Sequence, residues 1–86
     1  MMQFFPTVVS GDPSEGFGAE VIGTGVNGCG NSVEEALRDA ATILQEVIDD
    51  AVRETEPVPA PGVISADDLA RGLVAMLQAR LPAEAA

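Results

Sequence analysis

A glycine-rich turn closing at Gly30, a serine cap, one long amphipathic helix and the proline run Pro57-Val58-Pro59-Ala60-Pro61 fill the middle of this chain and confine it to few architectures. Ser32-Val33-Glu34-Glu35 is an S-x-x-E capping box. In such a box the Ser32 hydroxyl accepts from the Glu35 amide, and the Glu35 carboxylate reaches back to the Ser32 amide. Apolar residues then recur at Val33, Leu37, Ala40, Ala41, Leu44, Val47, Ile48 and Ala51, the spacing of one helical face. The opposite face carries Glu34, Glu35, Arg38, Asp39, Gln45, Glu46, Asp49, Asp50 and Arg53. The pattern predicts a helix over Ser32–Glu54 that covers a second layer with its apolar side.

The residues before the cap supply that layer. Met2 to Ser10 is rich in aromatic and β-branched residues, as strands are. Gly11-Asp12-Pro13-Ser14-Glu15-Gly16 is dense in turn formers. Phe17 to Ile22 alternates, with Phe17, Ala19 and Val21 on one side and Glu20 on the other. A hairpin follows from these three segments, with a short third strand at Val26 to Cys29. Pro6 has no amide to donate, which places its strand at a sheet edge or at a bulge. After the prolines, Ser65-Ala66-Asp67-Asp68 is a second cap, and Leu69, Leu73, Met76 and Leu77 fit one face of a helix stopping before Pro82. Gly72 lies inside that helix at a cost of about 1 kcal/mol relative to alanine. Ala83 to Ala86 is expected to fray.

The reading is therefore an α+β domain: a small antiparallel three-stranded sheet packed by one long helix, with a second C-terminal helix. Residues 1–62 form the β-β-β-α part, and 63–86 form a helical extension of the same domain or an oligomer contact. At 86 residues with three Phe and neither Tyr nor Trp, the core rests on Val, Ile, Leu and Ala. Folding at this size buries only about 60–65% of the extended-chain surface, so a homodimer or higher homo-oligomer is expected to add to it.

Charge narrows the partners. Fourteen acidic residues face four arginines and no lysine, a formal net charge of −10. Phosphate backbones are bound through basic footprints, so no direct nucleic-acid contact and no anionic membrane surface is expected. An acidic surface steers toward basic partners. No apolar run is long enough to span a bilayer and the N-terminus lacks a secretory pattern, which together with one unpaired Cys29 points to the cytoplasm.

Sites of chemistry are thin. The chain has no His, Tyr or Lys, so general acid–base work would fall to carboxylates or to Cys29, which is read as a neutral, buried thiol. Gly23-Thr24-Gly25-Val26-Asn27-Gly28 spells the dinucleotide pattern G-x-G-x-x-G. The capped helix begins only at Ser32, with Glu34 and Glu35 in its first turn, where they repel phosphate; the glycines are a flexible turn. Asp12 with Glu15, or Asp39 with Glu46, Asp49 and Asp50, has oxygen ligands for a cation, and solvated loop and helix faces account for both. No catalytic residue, cofactor or metal is expected, and the protein is read as a non-enzyme.

The order of these segments resembles the HicB-like antitoxin family over roughly the first two-thirds of the chain. The resemblance rests on Phe5-Pro6-Thr7-Val8-Val9, on Gly16-Phe17-Gly18-Ala19-Glu20-Val21, on the turn glycine Gly25, on Gly30-Asn31-Ser32-Val33-Glu34-Glu35-Ala36, and on Pro57 to Pro61. The family's Pro-Asp-Leu-Pro-Gly segment is reduced here to Ile22-Gly23-Thr24-Gly25, and its usual last strand is replaced by the expected second helix. The resemblance implies a partial ribonuclease-H-like fold, with Gly25, Gly30, Ser32 and Glu35 as structural positions. It also implies an antitoxin of a bacterial toxin–antitoxin system, which binds and masks a small basic HicA-type toxin that cleaves mRNA. Asp12, Glu15, Asp39 and Glu46 are then the candidate contacts. About twenty residues after the proline run are too few for an added DNA-binding module. The alternative is a solitary HicB-like oligomeric interaction or regulatory module without a toxin partner.

Overall fold

Asp12 makes the first turn. In the computed structural model, which describes residues 1–82, its carboxylate Oδ1 accepts from the amides of Ser14 (2.9 Å) and Glu15 (2.8 Å) and from the Ser14 hydroxyl (2.7 Å). That three-fold clasp reverses β1 (Met2–Asp12) into β2 (Gly16–Val21), paired antiparallel from Thr7–Val21 to Asp12–Gly16. Gly23 (φ 82°) and Gly25 (φ 77°) adopt left-handed conformations and lead into β3 (Val26–Gly30), whose pairing with β2 runs from Phe17–Gly30 to Val21–Val26. The glycine motif is thus a turn and a strand, as its flexible-turn reading expects.

Ser32 caps α1 (Val33–Arg53), its hydroxyl accepting from the Glu35 amide at 3.1 Å. The reciprocal half of the box differs from expectation: the Glu35 carboxylate accepts from the amide of Asn31, not of Ser32. The helix lies across one face of the sheet. Ala36, Ala40, Leu44 and Ile48 are fully buried against Phe5, Val9, Ala19, Val21, Val26, Leu77 and Ala79, and Phe17, Leu37 and Val58 pack round this core. Val47 stands largely exposed, whereas Ala36, outside the expected apolar stripe, is at its centre. Small residues at 36 and 40 have a reason. Gly28 of β3 comes so close that a Cβ there would sit 2.7 Å from Ala40 Cα and 2.8 Å from the Ala36 carbonyl oxygen.

The C-terminal part corrects the expected second long helix and three-stranded sheet. Ser65 and Asp68 form a full capping box, but the helix it opens, α2 (Ala66–Arg71), ends at Gly72. Leu73–Arg80 is a strand, β4, and the sheet has four strands in the order β3-β2-β1-β4. The run Leu73-Val74-Ala75-Met76-Leu77-Gln78-Ala79-Arg80 satisfies both periods, since a short apolar run does not distinguish helix from strand. The open second edge of β1 decides the outcome: β4 pairs with it antiparallel from Met2–Arg80 to Val9–Leu73, burying Leu77 and Ala79 under α1. Ala83 to Ala86, expected to fray, lie outside the described residues.

Pro6 also corrects an expectation, because β1 is a central strand without a bulge at that position. Its missing donor falls opposite Ile22, one residue past the end of β2. The Ile22 amide donates to the Pro6 carbonyl (3.0 Å), and the Ile22 carbonyl, which Pro6 cannot serve, accepts instead from the Gly62 amide (3.0 Å). The chain leaving α1 thus rounds the end of the sheet, is pinned at Gly62, and runs up the second face as α2 before entering β4.

Candidate functional site

The second face of the sheet and the outer side of α1 are the surfaces on which a partner can act. The outer side of α1 is acidic. Six carboxylates in the helix face two arginines, and both arginines are engaged: Arg38 with Glu34 at 2.7 Å, and Arg53 with Asp50. These pairs are exposed and contribute at most about 1 kcal/mol each. Their consequence is electrostatic, since they neutralise Glu34 and Asp50 and leave Glu35, Asp39, Glu46 and Asp49 facing outward.

The four candidate contacts fall into two places. Asp12 and Glu15 sit on the β1–β2 turn, beside an open depression of about 520 Å³ bounded also by Phe17, Cys29 and Asn31. Asp39 and Glu46 are two helical turns apart on α1, about 10 Å along its axis. Asp39 borders a second depression, with Cys29 and Glu35. Cys29 therefore separates the two places, and it is exposed, which corrects the expectation of a buried thiol.

Two of the four carboxylates have structural duties. Asp12 is held below the usual carboxylate range, chiefly by the Ser14 hydroxyl and then by the Glu15 amide. Asp39 Oδ2 accepts from the Cys29 amide at 2.9 Å, tying the outer edge of β3 to α1. Glu15 and Glu46 make no hydrogen bond or ion pair among the described residues and are free to meet a partner. On the second face Arg71 bridges Glu20 of β2 (2.9 Å) and Asp68 of α2 (2.7 Å), fastening α2 to the sheet. The Arg71 guanidinium, then the Ser65 amide and hydroxyl, hold the Asp68 carboxyl below its ordinary range.

The sequence left one feature of β4 unseen. The ammonium group of Met1 donates to the Leu81 carbonyl (3.0 Å) and the Leu81 amide to the Met1 carbonyl (2.7 Å). Antiparallel pairs alternate, so 73, 75, 77 and 79 also bond to β1 while 74, 76, 78 and 80 turn their backbone groups outward. Gln45 of α1 closes the outward position at Arg80: its Oε1 accepts from the Arg80 amide (2.8 Å) and its Nε2 donates to the Arg80 carbonyl (3.0 Å). Val74, Met76 and Gln78 keep outward amides and carbonyls with no partner among the described residues. Phe4 (53% exposed) and Met76 (61%) lie on the open face beside this edge.

Among the described residues no three carboxylates or thiols converge as a metal site, and no helix is long and apolar enough to cross a membrane. No family model matches the chain, and no curated protein matches its sequence. The fold, however, is that of a solved structure, the antitoxin HicB of Burkholderia pseudomallei. The two superpose with a TM-score of 0.67 at 15% identity, over 96% of this chain and 66% of the antitoxin's length. The architecture is HicB-like, and β4 gives it the last strand that the sequence reading had replaced by a helix.

Proposed function

We propose that this HicB-like chain is an antitoxin-like, non-catalytic protein that binds and masks a small basic HicA-type toxin. The observation that carries the reading is the likeness in fold to an antitoxin over nearly the whole chain. The charge of −10 supports it, because a toxin that acts on RNA must itself present a basic surface. An acidic partner raises the encounter rate with such a surface and, once docked, excludes RNA from it by charge and by bulk. Of the candidate contacts, Glu46 and Glu15 are the ones free to bind. Asp12 and Asp39 act mainly by holding the turn and the β3 edge in place.

The test uses a basic ribonuclease encoded beside this chain. Charge reversal of the α1 face (Glu46→Lys with Asp49→Lys) is expected to slow association about tenfold at low salt and to flatten its salt dependence, as for electrostatically steered encounters. Glu15→Lys measures the turn separately. If RNA cleavage by that ribonuclease is not titrated by this chain, the reading is wrong. The alternative is a solitary oligomeric module, which the unpaired edge of β4 favours. It predicts a self-assembled protein and no ribonuclease that this chain inhibits.

A further inference from the structure

We infer that the outer edge of β4 is the surface through which two copies of this chain pair, joining their sheets into one antiparallel eight-stranded sheet. The two edges of the four-stranded sheet are treated differently. On β3 the edge is five residues long, and its Cys29 amide is taken by the Asp39 side chain. On β4 the edge is eight residues long, carries no proline, and has no charged residue from Leu73 to Ala79. Native proteins blunt free edges with charge, proline, bulges or covering loops, and none of these devices protects Val74, Met76 and Gln78.

The geometry selects a second copy as the occupant. The outward positions are symmetric about Met76, so a two-fold axis there sets Val74 against Gln78 of the second copy and Met76 against its own equivalent. All three outward positions of each strand are then satisfied, with about six backbone hydrogen bonds. The register ends where it must: Arg80 already has both backbone groups on Gln45, and it falls opposite Gly72, which has no side chain to obstruct it. Charge agrees. From Leu69 to Pro82 the only charged residues are Arg71 and Arg80, and no side chain of Met1 to Gly11 on the neighbouring strand is charged. This is the part of a −10 molecule at which two copies meet without carboxylates on either side. Pairing also brings the exposed Met76 and Phe4 of both copies onto one shared face. The inference does not depend on a toxin partner, and it leaves the acidic side of α1 outward.

The experiment is the mass of the full chain in solution by light scattering and sedimentation, across micromolar concentrations. The expected value is twice the 8.8 kDa of one chain. Met76→Pro removes an outward amide, a change tolerated on an edge, and is expected to yield a folded monomer with the far-UV spectrum of the parent. Met76→Lys sets two like charges across the axis, keeps every amide, and is expected to weaken the dimer at least tenfold at low salt. Met76→Cys in a Cys29→Ser background is expected to cross-link to a dimer with a short bismaleimide, since paired Cα atoms there lie about 5.5 Å apart. A monomeric parent overturns the inference, as does a dimer indifferent to both Met76→Pro and Met76→Lys. Protection of the β4 amides only when a basic partner protein is added assigns the edge to that partner and equally overturns it.

Discussion

Gly28 and Gly18 occupy neighbouring strands and opposite faces of the sheet, and alanine is expected to act at them with opposite sign. At Gly28 the new methyl would meet Ala40 Cα at 2.7 Å and the Ala36 carbonyl oxygen at 2.8 Å, where ordinary contacts begin at 3.4 Å. Both are backbone atoms of α1, so no rotamer change makes room and the helix must lift by about the 0.7 Å difference. A gap of that size forfeits a quarter to a half of the dispersion energy of each contact it opens. The contacts at risk are those under Ala36, Ala40, Leu44 and Ile48, all fully buried. Overpacking of this kind costs about 1–3 kcal/mol, and the stiffer unfolded chain offsets about 0.4–1 of it. The net loss is about 1–2 kcal/mol, or a fall in Tm of about 4–16 °C for a domain of this size. At Gly18 the nearest atom is the Gly28 carbonyl oxygen at 3.9 Å, so only the unfolded-state gain applies and stability should rise by about 0.5 kcal/mol. Urea denaturation followed by circular dichroism reads both. Equal stability of the two variants, or a less stable Gly18→Ala, would refute the close approach of α1 to β3.

Gln45→Ala removes both bonds to the Arg80 backbone and is expected to cost about 1 kcal/mol, with faster amide exchange at Arg80 and unchanged exchange at Leu77. The cap of α2 should depend on pH in one direction. Asp68 is held below its ordinary value in the folded chain, so its contribution is complete above the unfolded carboxylate pKa and is lost as pH falls through the depressed folded one. Amide shifts of Ser65 and Asp68 in an acid titration are expected to move together below pH 4, and Asp68→Asn should abolish that transition.

What was legible in the sequence was local. The Ser32 cap, the hairpin turn at Asp12 and the left-handed glycines each declare themselves within four or five residues, and each stands where expected. What was not legible was settled by partners distant in the chain. Leu73 to Arg80 fits a helix as well as a strand, and only the unpaired side of β1 chooses between them; Gly72, read as a tolerated helix residue, was the boundary. Pro6 looked unsuited to a central strand because Gly62, which serves the carbonyl that Pro6 cannot, lies 56 positions on. Gln45 read as a solvent-facing residue because its role exists only once β4 is in place. Of the candidate contacts, the acidic character of the turn and helix was visible, but not that Asp12 and Asp39 would be engaged within the fold.

The clasp between Met1 and Leu81 joins residues 80 positions apart, and it bears on how the chain acquires its shape during synthesis. The hairpin, β3 and α1 can assemble while later residues are still being made, but β1 keeps a bare flank until β4 exists. Non-local pairing of this kind is slow, because the loop must close before any contact rewards it. The unfinished form therefore displays Phe5, Thr7 and Val9 beside an open row of peptide groups, and a stalled or shortened product is the one most prone to aggregate. The half-made chain, rather than the finished one, is where a protease or a chaperone has something to recognise.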